Sequence, residues 1–327
     1  MQGREEGELE LAQRKAEVLT EALPWINKMR GKTVVVKYGG SAMEDPKLMV
    51  QVLGDIELLK LMGMRVVLVH GGGKAISAML TLLNMPVQFK NGLRVTDDDT
   101  MEAVQEVLIG KVNQQLVWAL NEYGHNAVGI SGADGKTLKA VPVSPELGRV
   151  GHIREVSPEL IETILDDDYI PVIASVACGP DGFFNVNADE AASAVAEALH
   201  ADKLIYLTDV DGLFADVNDK GSLIRSLTKA ETKSILASGE LAGGMVPKVR
   251  SIVEAMDRGV SEVVILNGSR PLAAARDFHR RRRGHPLHAG IVRQGRQREF
   301  PFVSSRTRRI TWQTPATRAP RPLTMPT

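Results

Sequence analysis

Lys37 leads into Tyr38-Gly39-Gly40-Ser41, and His70 leads into Gly71-Gly72-Gly73-Lys74. Glycine leaves backbone N–H groups unobstructed, and a neighbouring ammonium adds positive charge, so such loops suit anionic oxygens. Two of them, a helix length apart, suggest two anionic groups brought together at one sheet edge. Three glycines can also be no more than a tight turn; Lys37 and Lys74 favour anion contact. Asn91-Gly92-Leu93-Arg94-Val95-Thr96 holds one arginine in a turn-rich setting. Its fork would suit a small carboxylate, although an arginine so placed is ordinarily a surface residue.

Further along, Asn185-Val186-Asn187-Ala188-Asp189 precedes an alanine-rich stretch. Asn187 or Ala188 falls near a helix N-cap, which puts Asp189 in the first turn. There it either complements the helix dipole or fixes nearby lysines. Thr208-Asp209-Val210-Asp211-Gly212-Leu213 forms a polar turn after an apolar run, and Gly243-Gly244-Met245-Val246-Pro247-Lys248 opens another helical stretch. A glycine pair at a helix start with a lysine one turn inside is a phosphate-binding arrangement. Neither G-x-x-x-x-G-K-[ST] nor G-x-G-x-x-G is present, so the usual nucleotide fingerprints are missing. Together these pieces favour phosphoryl transfer more than any one of them does.

The elements that must position these groups alternate. Apolar runs at 33–37, 66–69, 127–130, 169–173, 203–207 and 263–266 predict buried strands. Periodic stretches at 8–30, 46–62, 74–83, 100–122, 188–199 and 245–258 predict helices, and 138–156 predicts a hairpin. Asp97–Asp99 belong at a helix cap and first turn. Alternation of this kind predicts an α/β fold, a three-layer sandwich with a mainly parallel central sheet. Ligands of such sheets bind at the carboxyl ends of strands, where both glycine loops lie. The 8–30 helix carries Ala12, Ala16, Leu19, Leu23 and Ile26 on one stripe. It packs either on its own domain or on another subunit.

The 327 residues allow a large core, and no apolar run is long enough to span a bilayer. Without a signal-peptide pattern, the expected compartment is cytoplasmic. One cysteine, Cys178, excludes an internal disulfide and a cysteine metal cluster; we expect it to be a small buried residue. The net charge of zero averages two unlike regions. Residues 272–327 hold 13 arginines and no lysine against Asp277 and Glu299, a net +11, leaving −11 on residues 1–271.

Residues 32–270 resemble the N-acetylglutamate kinases, a branch of the amino-acid kinase family. The resemblance rests on KTVVVKYGGSAM, VVLVHGGGK, KNGLRVT, GKVNQQLV, SGADG, FNVNADEAA, LTDVDGLF and GGMVPKV, in the family's order. KNGLRVT with NVNADEAA is the most specific pair. The resemblance implies the amino-acid kinase fold and ATP-dependent phosphorylation of a side-chain carboxylate in arginine biosynthesis. It implies that Gly72, Gly73, Arg94 and Asn185 hold N-acetylglutamate. Lys37 and Lys248 would neutralise the transferred phosphoryl group, with Asp189 orienting both. Gly39, Gly40, Asp209, Asp211, Gly212, Gly243, Gly244 and Met245 would border ATP, and Mg²⁺ would be held mainly through the phosphates. Residues 31–200 would form the acyl-substrate lobe and 201–271 the ATP lobe. Residues 1–30 resemble the extension of arginine-inhibited hexamers, implying L-arginine as inhibitor and a homo-oligomer, dimer or hexamer. We expect neither a membrane nor a nucleic acid as partner. Another carboxylate substrate, or an impaired ligand-binding remnant, is the alternative.

After residue 270 the resemblance stops. The family continues like H-S-L-L-L-E-I-F-T-D-A-G-V-G-T, where this chain reads PLAAARDFHRRRRGHP. Codons that permit His279 to Pro286 spell Thr-Asp-Ala-Gly-Val-Gly-Thr one base later, and those from Pro271 can spell the preceding eight. We therefore expect a frame slip near 266–271, with 272–327 a basic, disordered, non-native tail.

Overall fold

The computed structural model describes residues 2–40, 43, 45–122, 124, 126–208, 213–214, 223–224, 226–238, 245–268 and 290–293. All belong to one compact unit, Met1–Gly295. In chain order, α1 (Gln2–Met29) leads to β1 (Thr33–Tyr38), α2 (Pro46–Leu61), β2 (Arg65–His70) and α3 (Gly73–Leu82). The ribbon β3 (Phe89–Lys90) and β4 (Leu93–Arg94) precedes α4 (Asp98–Gln105), which runs through a π-helical segment, Glu106–Asn113, into α5 (Gln114–Glu122). Next come β5 (Ala127–Ser131), β6 (Leu138–Pro142), β7 (Val150–Val156), α6 (Glu159–Asp166), β8 (Ile170–Ala174), β9 (Val176–Gly179) and β10 (Gly182–Val186). They are followed by α7 (Ala188–Ala198), β11 (Lys203–Thr208), β12 (Leu213–Phe214), β13 (Leu223–Ile224) and β14 (Ser226–Thr228). The last are α8 (Lys229–Ser238), α9 (Met245–Asp257), β15 (Glu262–Asn267) and β16 (Gly290–Arg293).

The main sheet has the order β14-β16-β15-β11-β1-β2-β8-β5, and its six strands from β15 to β5 are all parallel. Val34 and Val36 of β1 face a core built with α2, α3, α4 and α5. Val35, between them, faces a second core built with α6, α7 and α9. Alternation of one strand between two apolar layers is what the continuous valine run predicts. The expected three-layer sandwich is therefore the observed one. Pro171 is accommodated in β8 because β2 registers with β8 only from Val172 onward.

Local chemistry sets the helix starts. Asp45 caps α2 by accepting from Lys47 N at 2.8 Å, with Pro46 at the first helical position. Asp97 caps α4 through Thr100 N, also at 2.8 Å. The predicted hairpin is β6–β7, but its setting is richer than expected. With β9 and β10 it closes a small barrel against the second core.

One choice left open narrows, and two expectations change. Leu23 on the α1 stripe is 52% exposed, so this position is not packed on its own chain. Cys178 is half-buried, with its thiol donating to Leu138 O at 3.3 Å. The supposed disordered tail includes a strand at 290–293. There, β-branched Ile291 and Val292 pair with Val264 and Val263 of β15 and with β14.

Candidate active site

β1 and β11 lie side by side, with Lys37 in register with Tyr206. Beyond β1 the chain turns through Gly40 at φ +81°, a conformation glycine adopts freely. A Cβ on Gly39 would stand 2.7 Å from Lys37 Nζ, so the bare glycine leaves room for the ammonium above the loop. Lys37 Nζ lies 2.8 Å from Asp189 Oδ1. That carboxylate is placed by the start of α7, where Asn187 Oδ1 accepts from Asp189 N at 2.8 Å. The first turn is also tied to β11: Ser193 Oγ donates to Asp189 O at 3.0 Å and meets Tyr206 Oη at 2.6 Å. Burial and the nearby Asp189 charge push the Tyr206 phenol well above its usual range, keeping it neutral.

The second glycine loop opens α3, with Gly72 at the N-cap. A Cβ there would meet Leu108 Cδ2 at 2.7 Å, so the loop approaches the π segment too closely for a side chain. Arg94 contradicts the surface reading of its motif. It is only 6% exposed. Its Nη2 donates to Gly73 O at 2.7 Å and Ser77 Oγ at 2.8 Å, and its guanidinium stacks over Phe89 at 4.7 Å. Burial lowers its pKa. Nη1 is buried and has no hydrogen-bond partner among the described residues. A buried N–H of a charged group without an acceptor is costly, which makes an anionic ligand oxygen its natural complement.

These groups converge. A cavity of about 280 Å³ is bordered by Lys37, Gly39, Gly40, Gly72, Gly73, Arg94, Asn185 and Asp189, among others. A smaller one of about 110 Å³ shares Lys37, Gly39, Gly40 and Asp189 and extends along Tyr206–Thr208 and Ile265, at the carboxyl ends of β11 and β15. Asn185 Nδ2 donates to Thr96 Oγ1 at 3.2 Å, which orients its amide on the rim. Met245 and Lys248 lie at the start of α9, whose backbone alone is described there. Asp209, Asp211, Gly212, Gly243 and Gly244 lie outside the described residues.

Sequence reasoning missed Tyr206, Ser193 and Ser77, and it passed over His70 and Asn113. The last two meet beneath the second glycine loop, with Asn113 Nδ2 3.0 Å from His70 Nε2. Their signal was faint: a polar residue on the otherwise apolar face of Leu108, Val112 and Leu116.

The profile of the amino acid kinase family matches residues 32–267. An acetylglutamate kinase of Caldanaerobacter subterraneus subsp. tengcongensis is 51% identical over 257 residues, 78% of this chain and 86% of the relative. The chloroplastic acetylglutamate kinase of Arabidopsis thaliana is 48% identical over 259 residues, covering 78% of this chain and 75% of the relative. Among solved structures, N-acetylglutamate synthase of Neisseria gonorrhoeae, complexed with coenzyme A and N-acetyl-glutamate, superposes with a TM-score of 0.74. It is 26% identical, covering 86% of this chain and 64% of that one. Carbamate kinase of Giardia, 19% identical with a TM-score of 0.61, shares the fold, covering 81% of this chain and 99% of that one.

Proposed function

The chain belongs to the amino acid kinase family, and we propose that it transfers the γ-phosphoryl group of ATP to the side-chain carboxylate of N-acetyl-L-glutamate in arginine biosynthesis. The observation that carries this reading is the convergence on one cavity of the Lys37–Asp189 pair and the buried Nη1 of Arg94, which has no partner among the described residues. Relatives of about half identity carry the same activity in their names.

The chemistry needs little from the protein beyond placement. A carboxylate oxygen attacks the γ-phosphorus while the bond to the ADP oxygen breaks, and ADP leaves with the electron pair. The nucleophile is already ionised, so no general base is required. The barrier is the approach of two anions, which Lys37 and backbone N–H groups lower by neutralising charge and fixing geometry. Asp189 orients Lys37. Arg94, Gly72, Gly73 and Asn185 would hold the acyl substrate, with Arg94 Nη1 aimed at a carboxylate.

Gly39 and Gly40 would border the ATP phosphates, in the smaller cavity that Tyr206 to Thr208 and Ile265 continue. Asp209, Asp211, Gly212, Gly243, Gly244 and Met245 would complete that side, and Lys248 would face Lys37 across the transferred group. Mg²⁺ would neutralise phosphate charge. The ion would be carried chiefly by the phosphates.

On this reading residues 31–200 bind the acyl substrate and 201–271 bind ATP. The sheet order supports the division, since β15 and β11 flank β1 on one side and β2, β8 and β5 lie on the other. Exposure of Leu23 leaves part of the α1 stripe available to another subunit, and by resemblance the helix would belong to a homo-oligomer inhibited by arginine. No helix among the described residues is long and apolar enough to cross a membrane, and we propose a cytoplasmic enzyme. Residues 272–327 would be non-native apart from chance pairing at 290–293. The family profile ending at residue 267 supports this. ADP release that depends on N-acetylglutamate, measured with a coupled assay, tests the function; ADP release indifferent to that acid would overturn it.

A further inference from the structure

We infer that His70 and Asn113, a buried pair behind the cavity wall, act as one positioning element for the Gly71–Gly73 loop and thereby set affinity for the acyl substrate. The inference rests on the reading of that cavity as the N-acetylglutamate site.

The hydrogen-bond directions are forced. His70 is fully buried, and its Nδ1 lies 3.0 Å from Gly71 O. A carbonyl only accepts, so Nδ1 carries the proton. Burial pushes the imidazole down to about 4, so at neutral pH the ring is uncharged and Nε2 is a bare acceptor. Asn113 Nδ2, 3.0 Å away, donates to it. The same nitrogen lies 2.8 Å from Val172 O and 3.4 Å from Ile130 O. One amide thus ties the ring at the end of β2 to β8 and β5.

The consequence reaches the loop through the peptide plane. In a trans peptide the C=O and the following N–H point opposite ways. Holding Gly71 O on the ring turns the Gly72 N–H away from it. His70 O is itself held by Ser175 N at 3.2 Å, and Gly71 N approaches Tyr38 O at 3.4 Å. The loop is fixed from both sides.

Two unusual features serve this arrangement. The π segment brings residues five apart onto one side, so Asn113 faces the sheet while Leu108 and Val112 press on Gly72. Gly129 of β5 is the second: a Cβ there would stand 2.0 Å from Asn113 Oδ1. Only glycine admits the amide at that place. A side chain 1% exposed, served by a π turn and a bare glycine, is more than filler for the core.

The test compares wild type, Asn113→Leu, Asn113→Ser, His70→Gln and the His70→Gln/Asn113→Leu double variant. Substrate binding is followed by calorimetry with N-acetylglutamate, and KM values for both substrates by initial rates. We expect the KM for N-acetylglutamate to rise at least about tenfold in each of the three single variants, with the ATP KM within about twofold. The double variant should be no worse than the worse single, as for residues that act as a unit. Nitrogen-15 spectra of the wild type should show the Nδ1–H tautomer of His70. An Nε2–H tautomer, a parallel rise of both KM values, or multiplying effects would overturn the inference. Wild type that binds N-acetylglutamate alongside variants that bind it equally well would sink the inference alone. Wild type that fails to bind it would sink the functional reading and the inference with it.

Discussion

Lys37 Nζ rests 2.8 Å from Asp189 Oδ1, a contact that joins the end of β1 to the first turn of α7 on the lining of the candidate cavity. Both side chains are partly shielded, at 16% and 22% exposure. A pair of this kind is worth little as a staple; on the proposed function it would place charge where the phosphoryl group passes.

Lys37→Met should lower kcat by about 10²- to 10³-fold, the usual loss for one preorganised charge-stabilising donor. Asp189→Asn should follow in the same direction, with a smaller loss, because the lysine remains but loses its orienting charge. Lys248→Ala should abolish turnover while the fold persists. Initial rates with a thermal melt check all three, and wild-type kcat in any variant would remove that residue from the mechanism.

Arg94→Lys should raise the KM for the acyl substrate by about 10- to 100-fold, the worth of one or two hydrogen bonds to a charged group. Lysine gathers its donors on one nitrogen, so it cannot hold Gly73 O and Ser77 Oγ from one arm of a planar fork while the other arm reaches the cavity. The ATP KM should stay within a few-fold. Equal rises for both substrates would mean that Arg94 supports the fold rather than the substrate.

His70 makes stability depend on pH. Its folded-state value of about 4 lies below the unfolded value near 6.5. The unfolded chain therefore binds the proton more readily as pH falls. The contribution of the buried neutral ring is complete above about 6.5 and is lost progressively as pH falls towards 4, by about 3 kcal/mol. Denaturant melts at pH 7 and pH 4.5 should show this loss in the wild type and a shallower one in His70→Gln. Identical slopes would mean that the ring titrates normally.

Much of the fold was legible because its strands are continuous valine and isoleucine runs, which only a doubly covered sheet buries. Lys37 and the glycine loops were legible for a similar reason: glycine and lysine after a strand have few other uses. The local reading of Arg94 leaned to the surface because nothing in KNGLRVT reveals that α3 and Phe89 enclose it; its assignment to the substrate came from the resemblance. The barrel was half-seen, since β6 and β7 are adjacent in sequence whereas β9 and β10 join them from afar. The π segment was invisible, because its apolar residues fit ordinary helical spacing until Asn113 must face the sheet. The role of Asp189 came from resemblance; the spacing itself allowed a dipole acid equally well.

The gene itself tests the account of the C-terminal region. Sequencing should show that the frame one base forward, from about residue 270, encodes the family's segment. A protein expressed with that frame restored should melt higher and turn over faster than the present chain, because arginines now stand where the family places apolar residues. A forward frame that does not spell the segment would refute the slip and leave 272–327 as genuine sequence.

The most direct measurement traps the acyl phosphate as its hydroxamate, with ATP and Mg²⁺, for N-acetylglutamate, N-acetylaspartate, glutamate and carbamate in parallel. The account predicts hydroxamate from N-acetylglutamate, with kcat/KM about 10- to 200-fold above that for N-acetylaspartate, one methylene shorter. Hydroxamate from another acid in preference, or from none while ATP and N-acetylglutamate are both bound, would contradict it.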